Sequence, residues 1–480
     1  MVSVKENTKD ILVLTAGKAI QLSIGFATLR IITELLSEQE VGIYYTLMAV
    51  VNLLSFVFFN PLGQFYTRNL VHWQQTGNIK NATLVMIVLR LAAIPVALLT
   101  AISVFYLFDY TQYFSLGSYS VFITIALFAL VHGVLLSSAN ILIGRVTFTL
   151  FAATTLIVGL ASSLVLAKIN ETAMGWMYGL FLAQIGFSYF LYRVIVKGNP
   201  ISTKKIKSAF NKRYVSNVFL FTLPVTITLS LQWGQQTSFR LIVEDLYSAQ
   251  ALASIAVGMA LSSAIFAAVE SLATQFYLPI YLRKITGTSV SERAVIWNQL
   301  ASILMPFYIS LVIYVMAFAP FLTKLLVAEK FQNVYVYAML GSIFELFRVS
   351  TNLVYLVSQS ELNTKTTIPP YLIGFTAMLV SLYWFDMSED LWMVPVALAF
   401  SYSLTLMFMV LNMRKLLPLR PNLSIFIASI MVTTPLLSIY YFEVEPTFSN
   451  SLVILVVGGL YFMVVQYFTM RNSIREIRKT

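Results

Sequence analysis

Cysteine is absent from the 480 residues, so disulfides and thiolate metal sites are excluded. Histidine occurs only twice, at His72 and His132, too few to assemble an imidazole metal centre. No metal and no cofactor are therefore expected. Charge is scarce as well. Asp, Glu, Lys and Arg make up 11% of the chain, where a soluble domain carries about 25%. A water-facing surface cannot be built from so few charges. Also missing is the strict polar–apolar alternation, over roughly 10-residue segments, that a membrane β-barrel requires. A cleavable signal peptide is not expected either, because the first apolar run, 11–36, is too long and lacks a small-residue cleavage site.

What remains is apolar. Hydrophobic residues make up 59% of the chain and the mean hydropathy is +0.81. Runs of about 20 apolar residues recur throughout, the length a helix needs to cross a bilayer core. Only helices satisfy the backbone of such unbroken runs in lipid. The expected fold is thus an all-α polytopic membrane protein. Fourteen spans are predicted, at 10–36, 41–65, 82–108, 118–143, 147–167, 173–195, 214–238, 250–281, 295–319, 333–358, 369–386, 391–413, 423–442 and 451–469.

The net charge of +11 reads as an orientation signal rather than a nucleic-acid footprint. With the N-terminus placed in the cytoplasm, 23 Lys and Arg fall in cytoplasmic segments. Only Lys168, Arg240, Lys324 and Lys330 fall on the other side. Basic residues hold cytoplasmic loops in place, so both ends are expected in the cytoplasm. The longest connector is basic, runs from Lys197 to Arg213 and sits mid-chain.

The halves on either side resemble each other. Gln64-Phe65-Tyr66 recurs 211 positions on as Gln275-Phe276-Tyr277, and Pro95 recurs at the same offset as Pro306. Arg30 and Glu34 match Arg240 and Glu244, and Ser138 and Asn140 match Ser350 and Asn352. Six spans per half keep the two copies in one orientation, so a pseudo-twofold along the membrane normal is expected. The expected organisation is a six-helix lobe over 1–198, a basic linker over 199–213, a second lobe over 214–418, and an extra helix pair with a basic tail over 419–480.

Ionisable residues inside a bilayer cost at least ~2.5–3.5 kcal/mol and usually face a cavity or a partner. In the tenth span, Glu345, Arg348, Asn352, Tyr355 and Gln359 follow a 3-4-3-4 spacing that places them on one helix face. Such a stripe cannot face lipid. It either lines an aqueous cavity or pairs within itself to join two helices. Glu270 lies in the eighth span with Ser263, Thr274, Tyr277 and Tyr281 at helical spacing, as a coupling group or an inter-helix bond. Lys18 shares a face with Gln21 and Gly25 and either snorkels or points inward. Arg90 sits two turns into the third span. Arg30 with Glu34, and Arg240 with Glu244, stand as i,i+4 pairs near the outer helix ends, structural or gating. His132 reads as a hydrogen-bonded packing residue. The deep ionisable groups of the first half are basic: Lys18, Arg30 and Arg90. That sign suits an anionic ligand such as a pyrophosphate, because a guanidinium binds phosphate oxygens in pairs. An organic cation would call for acidic groups there.

Thr15-Ala16-Gly17-Lys18, Gly25, Arg30, Leu35-Leu36-Ser37 and Glu40-Val41-Gly42-Ile43-Tyr44 resemble the N-terminus of polysaccharide-transporter flippases. These belong to the multidrug/oligosaccharidyl-lipid/polysaccharide exporter superfamily. The resemblance implies two six-helix lobes around a central cavity and transport by alternating access. The implied cargo is undecaprenyl-pyrophosphate-linked oligosaccharide, moved across the bacterial inner membrane for surface polysaccharide synthesis. The resemblance carries a cationic cavity onto Lys18, Arg90 and Arg348, and together with the polar faces the expected substrate contacts are Lys18, Arg90, Arg348, Asn352 and Gln359, with coupling or gating at Glu270, Glu345, Arg30 and Arg240. Expected partners are the lipid-linked oligosaccharide, membrane lipid, a polysaccharide polymerase and a chain-length regulator. The last two spans resemble the added helices of the lipid II flippase branch, which leaves lipid II open as substrate. A multidrug cation antiporter of the same fold and a membrane-embedded glycosyltransferase or polymerase are the alternatives. The short outer loops speak against the enzyme.

Overall fold

The computed structural model describes residues 4–195, 212–285, 288–361 and 363–479. Most of the expected linker, 199–211, lies outside the described residues. Every regular element among them is a helix. In chain order these are α1 (Val4–Leu35), α2 (Glu38–Leu54), α3 (Asn60–Gln75), α4 (Ile79–Leu107), α5 (Leu116–Ala129), α6 (Val131–Leu142), α7 (Arg145–Asn170) and α8 (Ala173–Ile195). Then come α9 (Lys212–Gln236), α10 (Phe239–Leu246), α11 (Ala249–Ile285), α12 (Val290–Leu326), α13 (Tyr335–Ser360), α14 (Ile368–Trp384), α15 (Met393–Met413), α16 (Leu423–Thr433) and α17 (Phe448–Lys479).

Among the described residues, eleven helical stretches are long and apolar enough to cross a membrane. The other three expected spans are the long helices α1, α8 and α9. Two of them are more polar: α1 carries Lys5, Glu6, Lys9, Asp10 and Lys18, and α9 carries Asn217, Gln232, Gln235 and Gln236. Fully solvated starts recur where the sequence supplies a cap. Ser37 accepts from the Glu40 amide at the head of α2. Ser289 and Glu292 form a reciprocal capping box on α12. The flanks of the spans expose large apolar side chains, among them Leu99, Leu107, Leu220, Trp384 and Tyr441. In water that exposure is costly; against lipid tails it is the stable arrangement.

The repeat inferred from residue spacing is matched in element order. The tripeptides at 64–66 and 275–277 fall in the second long helical segment of each half, Pro95 and Pro306 in the third, and Ser138 and Ser350 in the fourth.

The chain divides into two compact units, Met1–Ile24 with Leu35–Ala249, and Gly25–Glu34 with Gln250–Thr480. The division therefore falls at 249/250 and not in the basic linker. Side-chain contacts explain why α9 joins the first unit. Trp233 Nε1 donates to the Ala49 carbonyl at 3.0 Å. Phe221 meets the Phe65 ring at 5.6 Å and the Arg68 guanidinium at 5.4 Å. In the second unit, Arg30 donates to the Val327 carbonyl and Thr33 Oγ1 accepts from the Ala328 amide at 3.0 Å.

Helix α2 does not run straight into α3. A π-helical turn, Ser55–Phe59, separates them and Pro61 follows at once. Proline has no N–H to offer the carbonyl four residues back, which is that of Val57. Thr226 Oγ1 donates to that carbonyl instead, at 3.4 Å. The fourth span breaks similarly at Leu130, between α5 and α6. In the first unit α7 and α8 cross closely at a glycine: a Cβ on Gly179 would sit 2.2 Å from the Ser163 nitrogen. Small residues let membrane helices approach to backbone contact.

In the second unit, Gly258 and Gly341 play that part between α11 and α13. A Cβ on Gly258 would lie 2.6 Å from the Val334 carbonyl oxygen, and one on Gly341 3.2 Å from the Met259 Cα. This close approach brings the polar groups of α11 and α13 within bonding distance. The final pair α16 and α17 rests on α12, with Tyr440 donating to the Met316 carbonyl at 2.6 Å and Gly458 set against the Phe318 ring.

Candidate functional site

Helix α13 carries the polar stripe on an otherwise apolar cylinder, and the stripe faces protein. Glu345 is 2% exposed and Arg348 8%. One turn separates them, so Arg348 Nε donates to Glu345 Oε2 at 2.7 Å along the same helix. The other arm crosses to α11, where Nη2 donates to Glu270 Oε2 at 2.9 Å. Asn352, the next stripe position, donates to the second Glu270 oxygen at 2.7 Å. Ser263, two turns before Glu270, donates to Glu345 Oε1. Two helices are thus joined by a closed network of one guanidinium, two carboxylates, one amide and one hydroxyl.

The network has one positive and two negative groups. With both carboxylates ionised it carries a net charge of −1, with Glu345 and Arg348 buried and Glu270 partly exposed. A proton or a monovalent cation on either carboxylate would neutralise it. Buried Tyr308, Tyr371 and Tyr402 stand close enough to feel these charges. Tyr402 also packs edge-on to Phe344 at 5.0 Å. Further along the stripe exposure rises. Tyr355 is half-buried, and its hydroxyl pairs with Gln359, which is exposed.

The remaining sequence candidates do not gather here. Lys18 is half-buried in the first unit and donates to Gln21 Oε1 at 3.0 Å, the partner expected from the shared face. Arg90 is 2% exposed. Its Nη1 donates to the Leu130 carbonyl at 3.1 Å and its Nη2 to the Phe59 carbonyl at 2.9 Å, with the Phe59 ring beneath the guanidinium. Those are the carbonyls at the two helix breaks, so Arg90 clasps the breaks together and does not face open space. Arg30 bonds Glu34 at 3.4 Å as expected.

The equivalent pair at Arg240 and Glu244 does not form. The Arg240 guanidinium stacks on Tyr45 at 5.1 Å and on Phe239 at 5.8 Å, while Glu244 faces Tyr113 and Tyr110. Tyr45 lies on α2 and Phe239 on α10 itself, and among the described residues Arg240 Nε and both Glu244 carboxylate oxygens are buried without a hydrogen-bond partner. Burial pushes the Glu244 carboxyl above the usual carboxylate range. His132 is buried, with Ser188 as its neighbour at 3.4 Å, as expected for packing.

Sequence reading passed over Asn60 and Gln184, isolated polar residues in apolar runs that line a cavity in the first unit. Their solitude within the runs was the available signal. Among the described residues no cluster of three or more His, Asp or Glu could hold a metal ion.

No protein-family profile matches the sequence, and no curated protein matches it. Solved structures do. A lipid II flippase MurJ in an inward closed conformation superposes with a TM-score of 0.64 at 11% identity, covering 97% of this chain and 100% of that one. A multidrug resistance MATE family transporter of the MOP superfamily, in an inward-facing conformation, gives a TM-score of 0.57 at 12% identity, covering 89% of this chain and 98% of that one. At such identities the likeness is one of fold, and the chain has the fold of MOP-superfamily transporters.

Proposed function

We propose that this protein is a flippase that moves polyprenyl-pyrophosphate-linked oligosaccharide across the bacterial inner membrane by alternating access, in the service of surface polysaccharide synthesis. The observation that carries this reading is the end-to-end likeness to a lipid II flippase, which takes in more of the chain than the likeness to the multidrug transporter does. Arg348, whose forked guanidinium suits phosphate oxygens, and the N-terminal resemblance to polysaccharide transporters support the choice of an anionic lipid-linked sugar.

In this reading the network on α11 and α13 is the coupling element. Arg348 bridges the two helices through Glu270. Neutralising Glu270 with a proton or a cation releases that arm and loosens the seam. An incoming phosphate can compete for the same guanidinium, since Arg binds carboxylate and phosphate in the same forked geometry. Substrate and ion would then each act on one charge balance. Lipid II is a second substrate supported by the same fold likeness. A cation antiporter is supported by the acidic excess of the network.

Three assays separate these readings. Proteoliposomes containing the protein should translocate a lipid-linked oligosaccharide, and cells lacking the gene should accumulate that lipid and lose surface polysaccharide. Rescue of a strain depleted of its lipid II flippase would point to lipid II instead. Drug efflux with no lipid translocation would overturn the flippase reading.

A further inference from the structure

The first unit contains a cavity of about 460 Å³, walled by polar and apolar groups together, that the coupling network does not use. It lies in the range of roughly 300–1,000 Å³ usual for small-molecule sites. The two helix breaks make it: its walls come from the π-turn side of α3 and from the start of α6, with α8 closing the back. Asn60, Gln64, Thr67, Ser137 and Gln184 supply amides and hydroxyls, and Leu130 and Val134 supply apolar surface. The lining contains no carboxylate and no lysine or arginine, and its one titratable side chain, His132, is buried against Ser188. Arg90 stands just behind Gly63, 3.2 Å from where a Cβ would be, with both terminal nitrogens committed to carbonyls. A Cβ on Gly133 would meet nothing within 4 Å, so this glycine opens onto the space.

Thr67 and Ser137 already donate to the Gly63 and Gly133 carbonyls, and Ser55 donates to Asn60 Oδ1, so toward a ligand the hydroxyls offer lone pairs and the side-chain amides offer the donors. A charged ligand would find no counter-charge in this lining. An apolar one would strand the amides. Side-chain amides both donate and accept, and a pyranose ring presents that pattern around its edge with C–H groups on its faces.

We infer that this cavity is a sugar subsite, which takes one neutral pyranose unit of the cargo while the pyrophosphate is held elsewhere. The inference rests on the flippase reading for its choice of ligand.

The absence of cysteine from the chain makes the test direct. Ser137→Cys places a single thiol on the cavity wall of the full-length protein in nanodiscs, and N-ethylmaleimide labelling reports access to it. Three probes are compared: the lipid-linked oligosaccharide purified from the cells that make this protein, the same oligosaccharide freed by mild acid, and polyprenyl pyrophosphate without sugar. The first two should slow labelling severalfold and the third should not. Gly133→Leu, which fills the cavity, and Gln184→Leu, which removes a donor and an acceptor at similar volume, should each reduce the protection.

Protection by sugar-free polyprenyl pyrophosphate overturns the proposal, and so does the absence of protection by either sugar-bearing probe. Lipid translocation measured on the same preparation keeps the two ideas apart. Translocation without protection sinks the subsite alone. Protection by free oligosaccharide without translocation sinks the flippase reading and leaves the subsite standing.

Discussion

Arg348 is held by two carboxylates at once, one on its own helix and one on α11. Lysine keeps the charge but lacks the fork, so it cannot reproduce both bonds in the same geometry. Arg348→Lys should therefore insert normally and transport poorly, as measured by surface polysaccharide against membrane abundance. Arg348→Ala leaves the buried Glu345 and the partly buried Glu270 with no cation, and for the Glu345 pair the loss is about 3–5 kcal/mol, as for a broken buried pair. Adding Glu345→Gln should restore its abundance without restoring transport. Full polysaccharide assembly by the Ala variant would make the arginine dispensable to transport.

Glu244 gives a pH-dependent counterpart outside the membrane spans. Burial raises its carboxyl pKa in the folded protein, so the folded state binds the proton more tightly than the unfolded one. Its stabilising effect is complete below the unfolded carboxylate range and is lost as pH rises through the raised value. Glu244→Gln should then raise the thermal midpoint at pH 8 more than at pH 5. Equal shifts at both pH values would show that its ionisation does not matter to stability.

At the scale of elements, glycines set how closely the helices approach, and that decides which polar groups meet. Gly179 lets α8 lie on the backbone of α7, where Ser163 Oγ donates to the Trp176 carbonyl at 2.7 Å. Gly179→Val would drive a branched side chain into the Ser163 backbone. The overpacking cost of about 1–3 kcal/mol is a lower bound here, because the obstacle is main chain. We expect the variant to lose most of its folded population in detergent, read by size-exclusion fluorescence. Gly186, on the same helix but with nothing within 4 Å of a Cβ, should accept alanine without loss. Arg90 works at this scale as well. It satisfies the carbonyls left over by two helix breaks, and it leaves the concave wall between them free for the cavity.

For the whole molecule, the loop charges predict that both ends and the basic mid-chain connector are cytoplasmic. Reporter fusions after Asp109, Asp386 and Glu445 should register the outer side, and a fusion after Lys205 the cytoplasm. Lys205 lies outside the described residues. A periplasmic signal there would invert the topology.

Length, hydropathy and helical spacing are properties of consecutive residues. The sequence alone therefore determined the all-helical class, the fourteen candidate spans, the repeat and the polar face of α13. Bilayer physics leaves a long apolar run no other backbone solution, so these inferences needed no partner. Which residues meet was a matter of tertiary packing. Glu270 and Glu345 are 75 positions apart and share Arg348 because two glycine-lined helices approach closely. Arg90 had the right charge and depth for a ligand, yet the breaks at Phe59 and Leu130 turned it into a backbone clasp. Arg240 and Glu244 have the spacing of an ion pair but do not meet, the guanidinium lying on the Tyr45 ring and the carboxyl turned toward Tyr113 and Tyr110. The membership of α9 in the first unit came from Trp233, Phe221 and Thr226 reaching α2, α3 and the π-turn. Spacing fixes only which face of its own helix a side chain occupies. Long-range packing decides what stands opposite, and for buried charged groups that neighbour sets the role.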